Sequence, residues 1–183
     1  VAAFCPITDL ARWHADGLKL KNEYPAMLAA SCGGAPEKCP GEYARRSPLP
    51  LLGGVTGPKF YIAAGIHDGH GKNSVPAGHS VRAFNALAAA ADRLSEADIA
   101  HLEATETAPA RLAFTGSDPF YVPEKRIHLR VTSKDTRLTL FEGGHQDNYP
   151  AALDFLARQK RGAAADWTLP VCAAESAKGD ISK

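Results

Sequence analysis

Two short segments of the sequence place a polar side chain directly after an apolar run. Asp68 lies in a glycine-rich loop that follows the apolar run 59–65. His145 follows two glycines that come after the run 138–142. A neutral imidazole can take a proton from a hydroxyl or a thiol, and a carboxylate on its other nitrogen fixes the tautomer and stabilises the imidazolium. Asp68 and His145 therefore have the residue types of the acid-base half of a nucleophilic site.

The elements around these residues predict an α/β fold with a mostly parallel sheet flanked by helices. Short strands and amphipathic helices alternate along the chain, at 1–5, 9–30, 59–65, 77–91, 138–142 and 150–161. Residues 127–132 fit either a strand or an irregular segment. The last helix is predicted to turn Leu153, Phe155 and Leu156 inward. In parallel sheets, functional side chains lie in loops at the carboxyl ends of strands, which is where Asp68 and His145 stand.

Composition and charge exclude several classes of protein. The chain has 183 residues, of which 45% are hydrophobic and 22% charged, as expected for one globular domain. A net charge of +1 is far from the basic balance of a dedicated nucleic-acid binder. No apolar run approaches the roughly 18–20 residues of a membrane-spanning helix, and the first residues lack the pattern of a signal peptide. We therefore expect no nucleic-acid and no membrane partner.

The four cysteines leave their redox state open. They are Cys5, Cys32, Cys39 and Cys172, and no C-x-x-C pair occurs among them. Cys32 and Cys39 are close enough in sequence for a small disulfide loop, and the alternative is that both are free buried thiols. The even count weakly favours a periplasmic or secreted protein; the compartment is otherwise unknown.

Several of these features together resemble the α/β-hydrolase superfamily, and most closely its prolyl-oligopeptidase-like and dienelactone-hydrolase-like members. They are the G-x-x-D turn at 65–68, the Val75-Pro76 pair, the G-G-H at 143–145 and the closing helix. The resemblance covers about residues 1–161. It implies that Asp68 orients the catalytic histidine and that His145 is the general base. The order of Asp before His agrees with that of the superfamily.

The nucleophile of such a hydrolase is missing from the sequence. The elbow motif G-x-S-x-G does not occur. The nearest string, 78–82, lacks the second glycine and follows the aspartate, so Ser80 is expected on the surface of a helix. The resemblance implies that 1–162 is the C-terminal part of an α/β-hydrolase domain, incomplete without upstream strands, with 9–56 as a cap-like insertion and 163–183 as a tail. The nucleophile and the oxyanion-hole loop would lie upstream or on another chain.

Two functions are consistent with these residues. The first is a serine hydrolase that cleaves a small-molecule ester or a peptide bond through an acyl-enzyme, with a complementary N-terminal segment or chain as partner and no cofactor. That segment is expected to pair along residues 1–5. The alternative is a non-catalytic α/β-hydrolase-like binding or interaction protein. In that case Asp68 is a turn residue and His145 a surface loop residue.

Three further residues are candidates for substrate binding. His67 and His70 are expected at the rim of the site. Five side chains could bind a metal, namely those of His67, Asp68, His70, His79 and His145, and His67-x-x-His70 fits a fragment of a site. The spacing matches no known metal signature, so no metal is predicted. Trp13 is a candidate for the substrate pocket, and the alternative is a place in the core.

Overall fold

The chain forms a mixed sheet with helices on both sides. The structure, a computed structural model, describes residues 1–72 and 74–170, so Cys172 and most of the predicted tail lie outside it. Four strands are found in the described residues, in the spatial order β1, β2, β4, β3: β1 (Ala2–Phe4), β2 (Phe60–Gly65), β3 (Ile127–Ser133) and β4 (Thr136–Phe141). The pairs β1–β2 and β2–β4 are parallel, whereas β3 and β4 form an antiparallel hairpin. The predicted α/β class is confirmed.

The central strand β2 is buried on both faces, which explains its continuous apolar sequence. Successive side chains of a strand point to opposite faces. Ile62 and Ala64 accordingly join the core cluster that contains Phe84, whereas Tyr61 and Ala63 join the cluster that contains Phe155. The two clusters hold β2 between helices and fix the place where its carboxyl end emerges.

Seven α-helices surround the sheet within the described ranges. They are α1 (Leu10–Leu20), α2 (Tyr24–Cys32), α3 (Pro40–Arg46), α4 (Leu49–Leu52), α5 (Gly78–Leu87), α6 (Glu96–Thr105) and α7 (Tyr149–Arg158). Helices α1 to α4 form the crossover from β1 to β2 and have a small core of their own around Leu28, Cys32 and Tyr43. No helix in the described part of the chain has both the length and the apolar character needed to cross a membrane.

Local capping explains where several helices begin. The side chain of Asp9 accepts a hydrogen bond from the backbone of Arg12 at the start of α1. Ser95 and Asp98 form a reciprocal capping box at the start of α6. Asn148 caps α7, the helix that directly follows the loop containing His145. The loop and the helix are therefore held together at that point.

Two predictions about helix faces are wrong, except that Phe155 lies inward as expected. The inward face of α7 is set by Ala151 and Phe155, and Leu153 lies about 200° around the helix from Ala151. Leu153 and Leu156 are consequently 66% and 46% exposed. Ser80 is buried in α5 instead of lying on the surface, and α5 packs against α4, α6 and the sheet.

Polar contacts join the start of the α1–α4 segment to α5. The hydroxyl of Thr8 donates to the carbonyl of His79 at 3.0 Å, and the backbone N–H of Thr8 donates to His79 Nδ1 at 3.3 Å. His79 Nε2 lies 3.5 Å from Asp16 Oδ2, on α1. The same region contains Cys32 and Cys39, which are free thiols. A disulfide loop between them is therefore not formed.

Leucines inside and outside the core provide a test of this packing. We expect Leu140→Ala to lower the free energy of unfolding by about 2–5 kcal/mol, because Leu140 is fully buried in β4 and its truncation leaves a cavity. Leu153→Ala is the matched control, and its effect should stay within about 0.5 kcal/mol because the side chain is exposed. Urea unfolding of both variants measures the difference. Equal losses would show that the burial of β4 described here is incorrect.

Candidate active site

The backbones of two strand-end loops touch each other at the carboxyl edge of the sheet. The N–H of Ile66 donates to the carbonyl of Phe141 at 2.8 Å, and the N–H of His67 donates to the carbonyl of Gly143 at 3.0 Å. A Cβ atom on Gly65 would lie 2.1 Å from the carbonyl oxygen of Gly144. Only glycine fits at this position, and its small size lets the loops after β2 and β4 meet.

This contact brings Asp68 and His145 together. His145 Nδ1 lies 3.0 Å from Asp68 Oδ2 and 3.3 Å from Oδ1. The N–H of Val75 donates to Asp68 Oδ1 at 2.8 Å, and Asp68 is only 2% exposed. Because an ionised carboxylate only accepts hydrogen bonds, Nδ1 of His145 carries the proton and Nε2 has the free lone pair. The His145 side chain is 48% exposed, so its ring can be reached from solvent.

Cys5 is a third reactive side chain at this edge. It directly follows β1, in a left-handed backbone conformation with φ of 45°. Its thiol donates to the carbonyl of Gln146 at 3.4 Å. Burial, followed by the negative charge of Asp68, raises the pKa of Cys5 to about 12. The thiol is therefore neutral at ordinary pH and lacks the thiolate character of an activated nucleophile.

A second histidine, His67, is held between two carboxylates. Its Nδ1 contacts Glu106, and its Nε2 lies 2.6 Å from Glu142 Oε1. The other oxygen of Glu142 is 2.7 Å from His128 Nε2 and 3.4 Å from Arg126 Nε. His67 is thus engaged at both ring nitrogens, and its contacts join the loop after β2 to the end of β4 and to the end of α6.

The contacts between His67 and the carboxylates shift the pKa values of the groups involved. Hydrogen bonds to Glu142 and then to Glu106 raise the pKa of His67, although partial burial opposes this. Hydrogen bonds from His67 and His128 lower the pKa of Glu142 to about 2. His67 is therefore favoured in its charged form and serves as a brace between loops.

Of the other two candidate residues, one lines a cavity at the site and one does not. His70 borders a cavity of about 150 Å³ beside Asp68. Helix α1 supplies part of the same wall, through Asp16, Lys19 and Leu20. Trp13 instead lies against the ring of Tyr24, with ring centroids 4.6 Å apart, and packs on the small core of the α1–α4 segment.

Sequence reasoning missed Cys5, Glu106 and Glu142. Cys5 carries a signal that could have been used, because it follows the strand next to β2 and so reaches the same sheet edge as Asp68. Glu142 stands at the end of β4 and carries the same signal. Glu106 ends α6 and is far from β2 in sequence, so no local pattern points to it.

No family model, curated protein or solved structure matches this chain. The resemblance to α/β-hydrolases therefore rests on the residues themselves. What stands independently of it is the juxtaposition of Asp68, His145 and Cys5 at the ends of neighbouring parallel strands.

The brace at His67 predicts a dependence of stability on pH. The pKa of His67 is raised above its ordinary 6.5 in the folded state. Its stabilising contribution is therefore complete below that value and is lost as pH rises through the raised pKa. We expect the wild-type protein to lose more stability than His67→Gln between about pH 6 and about pH 9. Because the His67 side chain is 40% exposed, the difference should be at most about 1 kcal/mol.

Urea unfolding at the two pH values measures this difference. His101→Gln is the control, since His101 is exposed on α6 and contacts no carboxylate in the described residues. It should follow the wild type. Titration of Glu142 does not contribute to the difference, because its carboxylate is ionised throughout this pH range. If the free energy of unfolding changes with pH equally in the wild type and in His67→Gln, the contacts of His67 with the two carboxylates do not stabilise the fold.

Proposed function

We propose that this chain supplies the aspartate and the histidine of a serine hydrolase that cleaves an ester or peptide bond through an acyl-enzyme. The observation that carries the proposal is the 3.0 Å contact between His145 Nδ1 and the buried carboxylate of Asp68. The resemblance of the surrounding motifs to α/β-hydrolases adds to it. Membership in that superfamily is part of the proposal.

The proposed chemistry follows from the protonation of the pair. Nε2 of His145 takes the proton of a serine hydroxyl as the oxygen attacks the substrate carbonyl, and the imidazolium then protonates the leaving group. Water attacks the acyl-enzyme with the same nitrogen as base. Asp68 stabilises the imidazolium at each stage. The N–H of Val75 holds the carboxylate in place while this happens.

The nucleophile is proposed to come from a further segment or a second chain. Among residues 1–72 and 74–170, no hydroxyl or thiol makes a hydrogen bond with His145. Cys5 is close, but its neutral thiol bonds to a backbone carbonyl. The resemblance implies a serine that precedes the present residues in the order Ser, Asp, His.

The open edge of β1 is where such a segment would fit. Within the described residues, β1 pairs only with β2, so its other edge has free backbone groups. A parallel strand added there would place its own carboxyl-end loop beside Cys5, at the edge that carries His145. Helix α7 packs near β1 and exposes an apolar row, formed by Tyr149, Leu153 and Leu156. One added segment would pair with the strand and cover this row.

Labelling with a fluorophosphonate tests the proposal. The natural protein that contains these 183 residues, purified with any chain that accompanies it, is treated with a biotinylated fluorophosphonate, and the labelled peptide is mapped by mass spectrometry. We expect a serine within G-x-S-x-G to be labelled. His145→Ala and Asp68→Asn should each slow labelling by about 10³-fold or more. The first substitution removes the base, and the second removes the carboxylate that fixes the tautomer of His145.

A matched histidine variant serves as control. His101→Ala removes an exposed histidine on α6 and should label at the wild-type rate. If no serine of the intact protein or complex is labelled, the hydrolase proposal fails, and the non-catalytic binding protein becomes the better account. Labelling that is unaffected by His145→Ala would also overturn it.

A further inference from the structure

Three different metal-binding atoms meet at the carboxyl edge of the sheet. They are the sulfur of Cys5, a carboxylate oxygen of Asp68 and a ring nitrogen of His145, and each lies within 4.8 Å of the other two. They come from the ends of β1, β2 and β4, which are neighbours in the sheet. Cys5 and Asp68 are buried, and the three residues lie in loops after three neighbouring strands instead of in one surface loop.

The geometry points to a binding site for Zn²⁺ at Cys5, Asp68 and His145, in which the metal switches the acid-base pair off. Thiolate, imidazole and carboxylate are the three ligand types that zinc accepts in proteins. A set with sulfur and nitrogen selects against Mg²⁺ and Ca²⁺, which take oxygen ligands. Three protein ligands leave a fourth position for water.

The distances require little movement. Zinc bonds of about 2.0–2.3 Å in a tetrahedron place ligand atoms about 3.3–3.8 Å apart. Separations of up to 4.8 Å therefore need to close by about 1 Å. Asp68 is fixed by the N–H of Val75, and Cys5 by its place at the end of β1. His145 is half exposed and can make the adjustment.

The charge at the site also favours a cation. Asp68 is a buried carboxylate whose partners are a backbone N–H, the ring of His145 and the thiol of Cys5. A buried charge without a full counter-charge is costly, and a divalent ion would offset it. On binding, the Cys5 thiol loses its proton to solvent and a zinc–sulfur bond forms, with no change in oxidation state.

Zinc at this site would interrupt the contact between Asp68 and His145. If Nδ1 of His145 binds the metal, it can no longer donate a hydrogen bond to Asp68. The proton of the neutral ring then lies on Nε2, which cannot accept the proton of a nucleophile. This inhibition rests on the proposed function, whereas metal binding by the three side chains does not. The two can therefore fail separately.

A titration with Co²⁺ and Zn²⁺ tests the site. The chelator-treated protein is titrated with Co²⁺, and we expect a sulfur-to-cobalt charge-transfer band in the near ultraviolet that saturates at a single equivalent and is displaced by Zn²⁺. Cys5→Ser should abolish the band. Cys5→Ser and His145→Gln should each lower zinc affinity by about 100-fold or more, because even the outer partners of metal ligands are worth 10–100-fold.

Other thiols and histidines of the chain provide the controls. Cys32→Ser, Cys39→Ser and His101→Gln should keep both the band and the affinity. A band that survives Cys5→Ser, or that disappears with Cys39→Ser or Cys172→Ser, would overturn the site.

Zinc K-edge absorption on the wild-type protein gives a second measurement that does not depend on whether a variant folds. A zinc–sulfur shell at about 2.3 Å is expected, and its absence would also overturn the site. Loss of fluorophosphonate labelling on adding zinc, restored by chelator, would then establish the switch. Zinc binding without this loss would show that the metal leaves the acid-base pair working and would refute the inhibitory part.

Discussion

The close approach of Gly65 to the backbone of Gly143 and Gly144 is the constraint on which the site depends. A side chain at this position would collide with a carbonyl oxygen and separate the loops after β2 and β4. The hydrogen bond of Asp68 with His145 and the contact of His67 with Glu142 both cross the same gap. If the two loops moved apart, both contacts would break together. The site therefore depends on the strand-end joint, which is the contact between the loops after β2 and β4.

The two histidines at this joint have different surroundings and therefore different uses. His67 is enclosed by two carboxylates, and its raised pKa favours the charged form, which cannot act as a base. His145 meets one carboxylate and keeps a nitrogen without a partner in the described residues. His67 thus links the loops, whereas His145 has the ring nitrogen with a free lone pair. Glu142 contributes to the brace because its own pKa is lowered by the histidines that it holds.

The sequence predicts the parts of this arrangement that depend on local patterns. Apolar runs that end in glycine indicate β2 and β4, and the strand-end rule places Asp68 and His145 at one edge. Glu106 could not be found, because its contact with His67 is set by the packing of α6 and not by spacing. The sequence predicts the wrong face of α7 because Leu153 is as apolar as a core residue, whereas the small Ala151 lies on the side that packs against the sheet. Residues 127–132 are ambiguous in sequence because pairing with β4 decides their conformation.

The crossover from β1 to β2 has a consequence for how the protein can change over time. Helix α1 borders the cavity beside Asp68, yet the described hydrogen bonds of the Asp68 and His145 side chains involve no residue of that segment. The segment is supported by its own core around Tyr43. Substitutions at residues such as Lys19 and Leu20 can therefore change the lining of the cavity without breaking the hydrogen bond between Asp68 and His145.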